Sequence, residues 1–166
     1  MGVSSDGLSG GLALFWCESL HVEVQSASER YIDAHVRLSE HDPLWRLTCV
    51  YGEPCTENRH RMWTHMSDLK QTSDLPWHDI RDLNDAMLCF EHFSLTPRNE
   101  NQVLAFRDTL EVCEISDLGF SSLPFTYDNK QHGRKNVRVR LDRAMATVDW
   151  AALFPMAKVT NLTSAS

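Results

Sequence analysis

The chain has 166 residues, 42% of them hydrophobic, with five Trp, seven Phe and a formal net charge of −7. That length suffices for one domain with its own core and is short for two, and the apolar content excludes a disordered tail. The acidic balance excludes a surface that is basic throughout, as a non-specific nucleic-acid coat requires.

The predicted elements begin with a strand at Gly10-Gly11-Leu12-Ala13-Leu14-Phe15-Trp16. Leu20, Val22 and Val24 then alternate with His21, Glu23 and Gln25, and Ile32, Ala34, Val36 and Leu38 alternate with Asp33, His35 and Arg37. This is the period of half-buried strands, here joined by a turn at Ser26 to Arg30. Trp45 to Tyr51 adds another strand, so the first third predicts a four-stranded antiparallel meander. Beyond the breaker Gly52-Glu53-Pro54, Met62, Trp63, Met66 and Leu69 recur at helical spacing and predict a helix from Thr56 to Gln71. Pro76 to Asp82 reads as a strand. Asn101 to Cys113 reads as a second helix with Val103, Phe106, Leu110 and Cys113 inward, and a long polar loop lies between the two. Leu123 to Asp128 and Val137 to Met145 predict a hairpin, with Val137, Val139 and Leu141 on one face and Arg138, Arg140 and Asp142 on the other. Asp149 to Phe154 reads as a short helix stopped by Pro155, and Val159 to Leu162 as the start of a last strand. A meander followed by alternating strands and helices predicts an α/β sandwich with mixed sheets.

Charge is unevenly spread. From Lys130 to Arg143 there are six basic residues (Lys130, Arg134, Lys135, Arg138, Arg140, Arg143) and one acid, Asp142, a local +5 that leaves −12 on the remainder. Such a stripe suits a protein that meets a polyanion at one edge, and a solvated hairpin reads the same way. Five cysteines without a C-x-x-C pair point to reduced thiols, not to a disulfide framework or zinc knuckle, and leave any metal ligand set unknown. No secretory leader and no apolar run near the ~20 residues of a bilayer span are visible. The expectation is an intracellular protein, nuclear or cytoplasmic, monomeric and without a membrane partner.

No G-x-G-x-x-G, Walker lysine or G-x-S-x-G motif occurs. What remains is a set of polar groups at the ends of predicted strands: Tyr51, Asp82, Asn84 and Asp142. Asp82 and Asn84, two apart on an extended segment, point the same way. The carboxylate can then orient or deprotonate a water while the amide donates to a phosphate oxygen. Mg²⁺, which takes hard oxygen ligands and keeps several waters, would supply charge for phosphodiester cleavage. The same Asp-x-Asn spacing also occurs in ordinary Asx turns.

The segments GLSGGLALFW, WRLTCVYGEP, SDLPWHDIRDLND, ISDLGFSSLPFTYDN and RLDRAMATVDWAALFPMAKV, in that order, resemble the endonuclease/exonuclease/phosphatase superfamily. More narrowly, they resemble the apurinic-endonuclease-like domain of plant LINE-type retrotransposons. The resemblance covers nearly the whole chain. It implies a single domain over 1–166 with an α/β fold, an incomplete four-layer α/β/β/α sandwich of mixed, largely antiparallel sheets. It also implies Mg²⁺-dependent nicking of DNA, with Tyr51 touching the scissile phosphate, Asp82 aligning water, Asn84 holding the phosphate and Asp142 orienting a catalytic histidine. Tyr127 takes the place of an aromatic near the substrate, where core packing would serve equally. Lys130, Arg134, Lys135, Arg138 and Arg140 would lie within reach of DNA phosphates. The family's first strands with their metal glutamate, and its Ser-Asp-His segment, find no counterpart. The usual Gly-Asp-Phe-Asn stands here as Arg81-Asp82-Leu83-Asn84, after Asp79 at an apolar strand position; Asp79 and Arg81 share a face and can pair. These departures imply a degenerate domain with weak or no activity, the alternative being a non-catalytic vestigial domain that holds nucleic acid through its basic hairpin.

Overall fold

The computed structural model describes residues 1–4, 11–53, 55–83, 91–93 and 100–162. The period-two segments form β3 (His21–Ser28), β4 (Tyr31–Arg37) and β5 (Trp45–Tyr51), an antiparallel meander with a register shift between Val24 and Ser26. A 3-10 turn at Thr56–Asn58 leads into α1 (Arg59–Gln71), which buries the stripe Met62, Met66 and Leu69. The chain then returns as β6 (Trp77–Asp82), parallel to β5. Next come α2 (Glu100–Val112), β8 (Ser116–Asp117) and β11 (Asp142–Ala146), the last pairing antiparallel with both β6 and β8. The resulting six-stranded sheet runs β3-β4-β5-β6-β11-β8, mixed and mostly antiparallel. Trp63 of α1 stacks on Phe106 of α2 at 4.8 Å, and Val103, Phe106, Leu110 and Cys113 are all buried. Among the described residues no helix is long and apolar enough to cross a membrane.

Four sequence expectations are corrected. The first predicted strand shrinks to β2 (Leu12–Ala13), which pairs with β1 (Gly2–Val3) in a ladder of its own, so the meander has three strands. A continuous apolar run carries no period, and Phe15 and Trp16 run out to solvent. The long polar loop contains β7 (His92–Phe93). The predicted hairpin is cut short: only β9 (Tyr127–Asp128) and β10 (Arg138–Val139) pair, and β7 joins β10 on its other edge. After β10 the chain turns a corner and enters the large sheet as β11. The Thr126 hydroxyl holds this corner, accepting from the Leu141 and Asp142 N–H groups at 2.9 and 3.0 Å. Finally, 159–162 forms no ladder. It is strapped to Ser121, Ser122 and Leu123 mostly through side chains, with Ser122 Oγ both donating to Asn161 O and accepting from its N–H.

The side of the sheet that faces α1 and α2 carries a row of buried ions. On β5, Arg46 donates to both carboxylate oxygens of Asp33 (2.7 and 3.0 Å) and to Leu69 O (2.6 Å), which binds the end of α1 to the sheet. Thr48 Oγ1 donates to Asp33 and accepts from Trp77 Nε1. On β6, Asp79 and Arg81 pair with each other, both side chains fully buried. Burial, reinforced by the neighbouring Arg143 charge, pushes the Arg81 guanidinium down to about 9, so it remains a cation at neutral pH. Farther along, Arg143 binds Asp117 and Glu91, and Arg140 lays both terminal nitrogens on Asp117 at 2.8 and 2.9 Å. Burial raises the Asp117 carboxyl, but hydrogen bonds and charge from Arg140, with Arg143 and the Gly119 N–H, outweigh it and hold Asp117 below its ordinary value.

Across the sheet, α3 (Val148–Leu153) covers one end of the opposite face. Trp150 stacks on His78 at 4.1 Å and meets Trp45 edge-on. Burial lowers the His78 imidazole. The other end of that face stays open.

Removing one partner of a buried pair leaves an uncompensated charge, so Asp33→Ala is expected to cost about 3–5 kcal/mol in urea unfolding. Because the Asp117 carboxyl is depressed in the folded state, its contribution is complete above about pH 4 and is lost as pH falls through its folded value. The melting temperature of Asp117→Asn is therefore expected to change less than that of the wild type between pH 7 and pH 3.

Candidate active site

The open end of the sheet gathers residues far apart in the sequence. The parallel register of β5 and β6 sets Tyr51 opposite Asp82, and the antiparallel register of β11 sets Asp142 opposite Asp82 on the other side. Directly opposed residues share a face, and neighbouring strands lie about 4.8 Å apart, so the three side chains stand abreast within roughly 10 Å. They rim a cavity of about 490 Å³ whose floor includes Cys49, Ile80 and Ala144, with Leu12, Thr126 and the 159–162 strap as walls. Ile80 is 46% exposed although it lies on a central strand, which reflects this opening. Burial pushes the Cys49 thiol up, so the floor is uncharged at neutral pH.

Three backbone contacts fix the rim. Tyr51 N–H donates to Arg30 O at 2.8 Å, Gly52 N–H to Asp82 O at 2.6 Å, and Leu83 N–H to Leu141 O at 2.9 Å. Gly52 permits the second of these: a Cβ there would lie 2.4 Å from the carbonyl carbon and oxygen of Leu83 and 2.6 Å from Asp82 O. The Thr126 corner places Asp142 beside Asp82. Neither Gly52 nor Thr126 was singled out from sequence; the glycine directly after Tyr51 was the available signal for the first, and nothing local signals the second.

The other residues named from sequence fall elsewhere. Asn84 lies outside the described residues. Tyr127, 48% exposed, borders a second cavity of about 390 Å³ with Phe125, Lys130 and Arg138, and Thr126 separates it from the first. Lys130, Arg134 and Lys135 are exposed at the hairpin tip, while Arg138 is half-buried with its guanidinium 5.4 Å from the Phe125 ring centre. Arg140 does not face solvent as expected. It is buried against Asp117 and Glu91 because the corner after β10 turns it inward, and Arg143 is diverted likewise. The tip itself is tightly built. Asp128 Oδ1 accepts from the Lys130 N–H and Asn136 Nδ2 at 2.8 and 2.7 Å, and Asn129 Oδ1 accepts from the Gln131 and Val137 N–H groups. Those bonds, the Lys130 N–H first, hold the Asp128 carboxyl below its ordinary value. Among the described residues no group of three His, Cys, Asp or Glu side chains is gathered to hold a metal ion.

This arrangement is an α/β fold, and it has solved counterparts. The chain is similar in structure to the endonuclease domain of TRAS1, a telomere-specific non-LTR retrotransposon, at TM-score 0.65 and 15% identity, over 81% of this chain and 58% of that one. It is also similar to a β-hairpin deletion mutant of β toxin from Staphylococcus aureus, at TM-score 0.50 and 16% identity, over 82% of this chain and 49% of the toxin. The chain thus spans less than two thirds of either structure, and at these identities the likeness is one of fold. No family model and no curated protein matches the sequence.

Gly52→Ala meets backbone that no side-chain rotation relieves. It is expected to destabilise the protein by about 1–3 kcal/mol in urea unfolding, and to shift the amide resonances of Tyr51 and Asp82 more than those of α3.

Proposed function

We propose that the chain is a nuclease-like domain of retroelement origin whose Tyr51, Asp82 and Asp142 rim acts slowly on phosphodiesters of DNA. The observation that carries this reading is the cross-strand alignment of the three side chains at the mouth of one open cavity. Asp82, at the centre, accepts a proton from an attacking water and aligns it, and the Tyr51 hydroxyl donates to a non-bridging phosphate oxygen. Asp142 stands beside Asp82 on the same face, and the leaving oxygen takes its proton from solvent water. Asn84, two positions after Asp82 in the sequence, is assigned to hold the phosphate.

Asp82 and Asp142 are hard oxygen donors on one face, which fits Mg²⁺, an ion that takes one or two protein carboxylates and keeps its remaining waters. When bound, it would offset the charge of the phosphate against the two carboxylates. The described residues lining the cavity include no histidine, and the rim holds two acids. Acid–base groups and electrostatic donors each commonly contribute a factor of about 10² to 10⁴, so a low rate follows.

A second reading rests on the hairpin tip. Its Asx bonds preset an exposed cluster of Lys130, Arg134 and Lys135, which suits contact with DNA phosphates without base recognition. On this reading the domain binds DNA without cutting it, as a monomer inside the cell.

With Mg²⁺ and supercoiled plasmid, slow nicking is expected, falling at least tenfold in Asp82→Ala; equal nicking by both proteins removes the rim from the mechanism. Replacing Lys130, Arg134 and Lys135 by Gln is expected to weaken duplex binding and to flatten its dependence on log salt by up to about 0.9 per lost phosphate contact. If that binding persists when Asp82→Ala is inactive, the hairpin and the rim act separately.

A further inference from the structure

Arg30 occupies the turn between β3 and β4, and the β4–β5 register, Tyr31 opposite Val50, carries one step further to set Arg30 opposite Tyr51. The Arg30 carbonyl accepts the Tyr51 N–H at 2.8 Å, which confirms that alignment. Arg30 therefore extends the backbone row of Tyr51, Asp82 and Asp142 by one position beyond the cavity, placing a guanidinium next to its Tyr51 end. That guanidinium lies 5.8 Å from the centre of the Tyr51 ring, within the range of a cation–π contact. Two bonds to the segment just after Tyr51 hold it there: one nitrogen reaches the Glu53 carboxylate at 3.1 Å and the other Gly52 O at 3.4 Å.

The Arg30 side chain is about one-third exposed, and an ion pair at such a site contributes little to stability. A planar fork that engages Glu53 and a backbone carbonyl while covering one side of an aromatic ring instead defines where that ring stands. Nothing in the sequence marks Arg30, because the turn at Ser26 to Arg30 reads as a plain connection between strands.

We propose that Arg30 is a positioning residue that sets the Tyr51 ring at the rim and thereby the reach of its hydroxyl toward a phosphate. The proposal rests on the reading of Tyr51 as a phosphate contact. It assigns Arg30 no contact of its own with the substrate, and Glu53 serves to hold Arg30.

A double-mutant cycle on the whole chain tests it, with Arg30→Gln and Tyr51→Phe made singly and together. The readouts are affinity for a short DNA duplex in Mg²⁺ and the ring ¹³C resonance of Tyr51 in tyrosine-labelled protein, assigned from Tyr51→Phe. Arg30→Gln is expected to shift the Tyr51 resonance, to weaken DNA binding roughly three- to five-fold, as a cation–π contact of ordinary strength implies, and to add nothing in the Tyr51→Phe background. Glu53→Gln, which keeps the Arg30 charge and loosens its anchor, is expected to move the same resonance in the same direction. Should Arg30→Gln or Glu53→Gln misfold, Arg30→Lys, which keeps the charge and loses the fork, provides the comparison. An unmoved Tyr51 resonance in folded variants overturns the proposal, and so does an Arg30→Gln effect on binding that persists in full without the Tyr51 hydroxyl. If the resonance moves while Tyr51→Phe leaves DNA affinity unchanged, the positioning of the ring stands and the phosphate role of Tyr51 falls.

Discussion

Charge buried beneath the helices governs the rest of the molecule. Arg46 with Asp33, Arg81 with Asp79, and Arg140 and Arg143 with Asp117 and Glu91 occupy five adjacent strands and their flanks. Each ion is tolerated only beside its partner, since an isolated charge at that depth costs several kcal/mol. A slip of one residue in β4, β5 or β11 would break the pairs between strands, and a slip in β6 would carry Asp79 and Arg81 together to the wrong face, so the ions help specify register. Because strand side chains alternate, each rim residue follows or precedes a buried one: Tyr51 follows Val50, Asp82 follows Arg81, and Asp142 precedes Arg143. The open site is thus located by what lies on the far side of the same strands.

The same ions shape the surface. Two of the six cations clustered from Lys130 to Arg143 are turned inward, and Arg140 ties the β7-β10-β9 sheet to the edge strand β8. What remains for a polyanion is a small tip beyond β9 and β10, next to the cavity that Tyr127 borders. Thr126 separates that cavity from the rim and holds the corner that brings Asp142 beside Asp82. One hydroxyl therefore links the basic tip to the acidic row.

Much of the fold was legible because its signals are local. Period-two alternation marked β3 and β4, the recurrence of Met62, Met66 and Leu69 marked α1, and Pro155 marked the end of α3. The failures share a different cause. Val137 to Met145 alternates as a single strand would, but it divides at Arg140 because Arg140 and Arg143 answer to Glu91 and Asp117, which are distant in sequence. Tyr51, Asp82 and Asp142 were recognisable as polar residues at strand ends, while their standing abreast depends on strand order, which no local pattern encodes. Arg30 was silent for the same reason, and Gly52, legible only as a breaker, matters because another strand arrives beside it.

The Asp79–Arg81 pair also constrains how this site can change over time. Exchanging Arg81 alone would strand a carboxylate in the middle of the sheet. Exchanging Asp79 alone would strand a guanidinium there instead. Either single change is costly, so the two positions are coupled and a neutral replacement must alter both at once.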